Sequence, residues 1–499
     1  MRCSNKNRKC EKPPLLTLIC VHLGFYILFF VYLFSRILRP QGLRKEKNRD
    51  GYPPLFRTSH FFLFFHFLYE RVRDAWNHTV CSVPGVEIVV KHREFNPGTG
   101  ILNFRFTGER TKCLNVASYN YLGFAENTGM CTEFAIETIY KFGVSNGAST
   151  LYYGYGKLHQ ELDGLLAEFL GVEDVISYSM GFATNSVNLP ALLSSHCLVL
   201  SDEKNHVSII VGLQVSGASV KVFRHNDVDH LEELLQQGIL NGQPNHNIFK
   251  PWKKIVIIVE GIYSMEGSIV RLPEIIELKK KYKAYLYLDE AHSLGAIGKS
   301  GKGVVEYFNC DPKEVDVLMG TYTKSFSSVG GFIGGSKDLI SFLRQESYAC
   351  KYGRVMSPIV VAQIIGVLRI LMERNEASIG KKRIETLARN TKYFRRKLNE
   401  MGFITYGNPD SPVVPVLCYY YSKIAIIIKT LLEHNIAAIG VGFPATSLFE
   451  GRMRFCLSGG HTKEELDYVL DVFSKIGDQV GLKYSSSPRN FDVVDDVLT

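Results

Sequence analysis

Between residues 175 and 319, short runs rich in branched aliphatic and aromatic residues alternate with stretches of helical spacing. Val175–Tyr178, Cys197–Leu200, Ser219–Phe223, Ile255–Glu260 and Ala284–Leu288 read as strands, and another apolar run covers Val315 to Met319. Leu231–Leu235 and Leu272–Lys281 have helical spacing and lie between them. A strand that is apolar on both sides of its pleat must be covered on both faces, and intervening helices supply that cover. The expectation is an α/β fold with a mostly parallel sheet flanked by helices. Beyond a long helix expected over Lys381–Met401, Val413–Tyr421 and Arg454–Leu457 read as strands of a smaller C-terminal α+β domain. The expected organisation is a large domain over 111–385 and a small one over 386–485, preceded by 1–50 and 51–110 and followed by a tail, 486–499.

Ligands of such sheets sit beyond the carboxyl ends of the strands, so the residues there carry the functional reading. Lys324 follows the Val315–Met319 run and precedes a glycine-rich stretch, Gly330 to Gly335. The Ala284–Leu288 run ends in Asp289-Glu290-Ala291-His292. A lysine beside glycines is by itself most often a solvated surface group. An amine and a carboxylate at two buried strand ends can face one bound ring, as pyridoxal phosphate (PLP) requires: lysine for the Schiff base, acid on the pyridine nitrogen. Gly181-Phe182 follows the first strand and opens a helix, which makes it either a phosphate cradle or an ordinary tight turn. Thr321 and Thr323 offer hydroxyls to the phosphate or a ring substituent. His292 can reach the phenolic oxygen or be a core histidine, and His206 can stack on the ring or be structural. Glu260 and Ser264, at the end of the Ile255 strand, complete the cluster.

The net charge of +9 resembles a nucleic-acid signal until it is located. Residues 1–50 hold eleven Lys/Arg and three Asp/Glu, so eight of the nine excess charges lie there and no nucleic-acid partner is expected for the folded body. Within that segment Pro13–Ser35 is uncharged, and its 20-residue core Leu15–Phe34 has the length of a transmembrane helix. A basic patch from Arg36 to Arg49 follows, suited to anionic headgroups. The aromatic run Phe61–Leu68 is too short to span and either lies in the interface or docks on the folded body. Eleven cysteines, an odd number without a C-x-x-C pair, point to a reducing compartment and away from a zinc site. Asn77-His78-Thr79 is a glycosylation triplet that such a compartment leaves unused.

Met180–Ser186, Val259–Pro273, Tyr285–Gly295, Gly320–Gly331, Val441–Thr446 and Arg452–Thr462 together resemble the α-oxoamine synthases, a branch of the fold-type-I PLP enzymes. Within that branch the chain is most similar to the catalytic subunits of eukaryotic serine palmitoyltransferases, over roughly residues 70–485. The resemblance implies that Lys324 is the Schiff-base lysine, Asp289 the partner of the pyridine nitrogen and His206 the stacking histidine. It places His292 and Thr321 around the phenolic oxygen and the lysine, and Asn120 and Arg454 near the amino-acid carboxylate. The implied reaction condenses L-serine with a long-chain acyl-CoA to 3-ketosphinganine, with a related non-PLP-binding subunit as partner. The implied location is the endoplasmic reticulum membrane, catalytic domain facing the cytosol. An α-oxoamine synthase using glycine or alanine, and a non-catalytic subunit of the same complex, are the rival readings. Two positions depart from the family pattern. Leu151 stands where relatives carry an arginine, and Arg354-Val355 stands where homodimeric relatives place a threonine that reaches the neighbouring phosphate. The second departure is what favours a partner without PLP.

Overall fold

A computed structural model describes residues 11–38, 68–69, 72–95, 104–145, 147–244, 248–373 and 378–485. The basic residues from Arg39 to Arg49, most of the aromatic run Phe61–Leu68 and the tail 486–499 lie outside them.

A hairpin of β1 (Glu87–Phe95) and β2 (Phe104–Asn115) precedes the central sheet. That sheet is built from β3 (Asp174–Tyr178), β4 (Cys197–Asp202), β5 (Ser219–Phe223), β6 (Lys254–Glu260), β7 (Tyr285–Asp289), β8 (Val317–Thr321) and β9 (Gly331–Gly335). Its order is β3-β9-β8-β7-β6-β4-β5. Only β9 runs antiparallel to its neighbours, so six strands end on the same side. Every residue of β4 and β8 is buried, which is why these runs are apolar without alternation. The expected strands are present with ends shifted by a residue or two.

The strand that periodicity does not announce is β9, because glycine is a poor strand former. Its glycines are required by close approach. A Cβ on Gly331 would come within 2.7 Å of both Gly320 O and Thr184 Oγ1, and one on Gly335 within 2.9 Å of Asp316 O.

Helices cover both faces. The Val228–Asn241 helix is capped by Asp227, whose side chain accepts from His230 N–H, and it buries Leu231 and Leu235. The Leu272–Tyr282 helix buries Leu272, Ile275, Ile276 and Leu278. After the Ile379–Glu400 helix, β10 (Val413–Tyr419), β12 (Ile439–Val441) and β13 (Gly451–Cys456) form an antiparallel sheet, order β10-β13-β12. The short β11 (Ile436–Ala437) joins the β1–β2 hairpin through β2. Among the described residues one helix, Leu15–Leu38, contains a segment long and apolar enough to cross a membrane, Leu15–Phe34.

Candidate active site

The chemistry-bearing residues stand at the carboxyl ends of β3, β4, β6, β7 and β8. Gly181 opens a helix just past β3, and the first helical bond runs from Thr184 N–H to Met180 O. The glycine is needed: a Cβ there would meet Gly330 O at 3.2 Å and Thr321 Cγ2 at 3.3 Å. Its neighbour Phe182 is exposed, with its ring 6.1 Å from that of His206.

His206 caps the Val207–Ser216 helix, and its Nδ1 accepts from Ser208 N–H at 3.2 Å. Its backbone N–H donates to the Glu260 carboxyl at the end of β6. His206 is exposed, yet the protein packed around it lowers its pKa; Asp289 opposes that shift and Lys324 adds to it. Glu260 is buried, and burial followed by the Asp289 charge raises its pKa well above the carboxylate range.

At the end of β7, Asp289 accepts from Ala291 N–H at 2.9 Å and from Asn185 Nδ2 at 2.8 Å. Asn185 donates also to Ser208 Oγ at 3.0 Å and accepts from the Tyr287 hydroxyl at 2.6 Å. A single amide thus aims the Asp289 carboxylate and ties it to the residue that holds His206. Removing one hydrogen bond to a charged group costs about 1.5–3 kcal/mol. Asn185→Ala is therefore expected to lower kcat roughly tenfold or more. Steady-state kinetics should show little change in the KM for acyl-CoA.

His292 is buried and its Nδ1 lies 2.8 Å from the hydroxyl of Tyr121. Burial, then the charges of Lys324 and Arg454, lowers its pKa far below the usual histidine value, so the ring is neutral. Burial also raises the Tyr121 pKa, keeping its proton available to donate to Nδ1. The imidazole proton then stands on Nε2. Tyr119 packs edge-on against His292 at 4.7 Å, and burial, the largest influence, raises its pKa. The Arg454 guanidinium lies 4.4 Å from the Tyr119 ring centre, and its Nε is buried without a hydrogen-bond partner.

Lys324 follows β8. Its Nζ reaches Thr321 Oγ1 at 3.5 Å and lies 5.9 Å from the Tyr119 ring centre. Burial lowers its pKa against the opposing pull of Asp289 and Glu260. Thr323 is exposed on its own, with its hydroxyl donating to Thr321 at 3.2 Å. Asn120 uses its amide within the protein, donating to Pro84 O at 3.3 Å and accepting from Ala125 N–H and Ser327 Oγ. Ser327 N–H bonds Lys324 O, so Asn120 holds the loop that carries the lysine. Local sequence gives Asn185, Tyr119, Tyr121 and Ser208 no role of their own. Their one signal is position, since Asn185 lies within the Met180–Ser186 motif and the tyrosines flank Asn120.

Next to Asp289, Glu290 is fully buried and accepts from Ser293 Oγ, Val304 N–H and Val305 N–H. Burial is the largest influence on its pKa and raises it to about 7. Because the folded state holds this proton more tightly than the unfolded chain, the group's contribution to stability falls as pH rises from about 4.5 to about 7. The whole effect is about 3 kcal/mol. Glu290→Gln should flatten unfolding free energy over that window, as measured by urea unfolding at pH 5 and 7.5.

The two departures lie side by side. Ser149 and Arg354 form an antiparallel bridge, and Val355 N–H donates to Ala148 O at 3.4 Å. Leu151, Tyr352 and Arg354 are exposed around it.

A half-buried lysine of depressed pKa, a fixed carboxylate, two neutral imidazoles, hydroxyls and helix-opening amides at neighbouring strand ends are the donor set that PLP needs. The buried, unpaired Arg454 Nε leaves capacity for an anion beside it. Fold and site together define a PLP-dependent transferase of fold-type I. The aminotransferase class I and II family profile matches residues 111–473. The chain is 45% identical to serine palmitoyltransferase 2 of Dictyostelium discoideum, over 92% of this chain and 93% of that one. It is 45% identical to serine palmitoyltransferase 3 of Homo sapiens, over 96% and 87%. A high-resolution structure of SPT with PLP as an internal aldimine superposes with TM-score 0.72 at 26% identity, covering 85% of this chain and all of that one. The chain belongs to the serine palmitoyltransferase family.

Proposed function

We propose that this chain is the lysine-bearing subunit of a serine palmitoyltransferase, condensing L-serine with a long-chain acyl-CoA to 3-ketosphinganine, CoA and carbon dioxide. The observation that carries the proposal is the half-buried Lys324 amine within the electrostatic reach of Asp289, on neighbouring strands of a chain 45% identical to named relatives. PLP, when bound, supplies an electron sink at the serine α-carbon.

The residues have separable tasks. Lys324, its pKa lowered by burial, offers its amine and moves the proton at the serine α-carbon. Asp289 keeps the pyridine nitrogen protonated, with Asn185 and the Ala291 amide fixing its direction. His292, with its proton on Nε2, would hold the phenolic oxygen of bound PLP, and Thr321 flanks the lysine. His206 presents its ring face. The amides of Gly181 and Phe182, with the hydroxyls of Thr321 and Thr323, suit the phosphate. Arg454, packed on the Tyr119 ring, suits the serine carboxylate and Ser264 the cofactor, while Asn120 acts by positioning the lysine loop. A carbon–carbon bond forms between the serine α-carbon and the acyl carbonyl, and the carbon–sulfur bond breaks to release CoA thiolate. The carboxylate then leaves as carbon dioxide, and a proton takes its place. Orienting the breaking bond is the protein's main contribution.

The partner is proposed to be a related subunit without the cofactor lysine. Its support is the exposed surface around Leu151, Tyr352 and Arg354, where the hydroxyl that homodimeric relatives lend to the neighbouring site is absent. The apolar helix supports anchoring to a membrane; the proposed membrane is that of the endoplasmic reticulum, with the body, residues 111–385 and 386–485, on the cytosolic side. The test is co-expression with and without the candidate partner, followed by PLP stoichiometry and labelled-serine turnover over a panel of acyl-CoAs. Turnover only with the partner, at one PLP per pair, supports the reading; a fully active homodimer with one PLP per chain defeats the heteromeric part. Incorporation of glycine or alanine in preference to serine defeats the substrate assignment.

A further inference from the structure

The segment Leu15–Phe34 is apolar on every side, which in a helix means burial in protein or in lipid. In the structure it has both. Val21, Phe25, Leu28 and Tyr32 recur at helical spacing and form one stripe, and that stripe is seated on the catalytic body. Val21 is buried against Ile404, Leu417 and Tyr419, the last two on β10. His22 stacks on Phe449 at 4.1 Å, and Phe25 meets the edges of Phe449 and Tyr421 at 5.3 and 5.8 Å. Leu28 and Tyr32 join Leu68, Phe443 and Leu448. Just before the helix, the Glu11 carboxylate accepts from Ser485 Oγ at 2.9 Å. The opposite stripe, Ile19, Leu23, Tyr26, Ile27, Phe30 and Phe34, is between 47% and 65% exposed.

Contacts with the body therefore run along the helix from Thr17 to Tyr32, about 23 Å of its length and most of the thickness of a hydrocarbon core. A helix docked along that whole length cannot cross the bilayer unless the body enters it too. The body beside it carries the partly exposed cation Lys423, bonded to Gly481 O and the Tyr484 hydroxyl. Such groups are costly in hydrocarbon. We infer that this helix lies in the plane of the membrane, with its docked stripe on the catalytic body and its exposed stripe in the lipid. Both its ends then stand on the body's side. The occupant of the exposed face is a bilayer surface with anionic headgroups, because Lys6, Arg8, Lys9 and Lys12 precede the helix and Arg36 to Arg49 follow it. The inference rests on the membrane anchoring proposed above and departs from the crossing that length and hydropathy suggest.

The test uses the full chain, co-expressed with its partner in sealed microsomes. It carries a flexible N-terminal extension with an epitope and an Asn-X-Thr acceptor. Flotation reports anchoring, while glycosylation and protease protection report the side on which the N-terminus stands. The expected result is a chain that floats with the membranes, an unmodified acceptor and an epitope removed by protease added outside. A modified acceptor on a protected epitope would establish a crossing helix and overturn the inference while leaving anchoring intact. A chain that stays with the soluble fraction would overturn the anchoring itself, and the inference with it.

Discussion

Lys324→Ala is expected to leave a folded chain whose turnover of serine falls by at least about a thousandfold. The amine has two tasks at one carbon, holding the cofactor before the substrate arrives and moving the α-proton afterwards, so nothing in the cluster substitutes for it. Its neighbours Thr321 and Thr323 are hydroxyls, and both nearby imidazoles are held neutral or committed to other bonds. Folding should be little affected. The Nζ makes one contact at the limit of hydrogen bonding, and the loop around it is held by Ser327 and Asn120. Borohydride should attach the pyridoxyl group to the Lys324 peptide in the wild type and to no other. Label on a different lysine, or turnover near the wild-type level in the variant, would end the assignment.

Asp289→Asn is expected to reduce kcat by about 10²–10³-fold, the scale seen when one charge-stabilising group is lost from a preorganised site. The substitution preserves shape, so the loss should appear in kcat more than in the KM for acyl-CoA. It also has a pH signature that a structural defect would not produce. The Asp289 charge pulls the Lys324 pKa upward and is the second cause of the raised Glu260 pKa. Without it, Lys324 loses its proton at lower pH and Glu260 ionises at lower pH. Both changes move the pH–rate profile of the residual activity toward acid. A variant with near-normal kcat, or one whose profile stays in place while protein is lost to unfolding, would remove Asp289 from the role of nitrogen partner.

How much of this was legible in the chain differs by element. Strands β4, β6, β7 and β8 announce themselves because they are buried on both faces, and continuous apolar runs survive in a linear sequence. Strand β9 does not, because its glycines answer to the backbones of β8 and of the helix at Gly181, a constraint no local propensity encodes. Lys324, Asp289, His206 and His292 could be selected because each follows a strand end, where ligands of such sheets bind. Asn185 and Tyr121 could not, since their partners Asp289 and His292 lie 104 and 171 positions away.

The N-terminal helix draws the same distinction most sharply. Hydropathy and length by themselves determined that residues 15–34 form one long helix whose sides must all leave water, since no polar face exists to hold any of them in solvent. Which neighbour each side takes was decided only in three dimensions. The stripe of Val21, Phe25, Leu28 and Tyr32 meets an apolar surface assembled from residues beyond position 400, with Leu68. Burial is non-directional, so a sequence can require that apolar area be covered, but only the assembled surface determines what covers it.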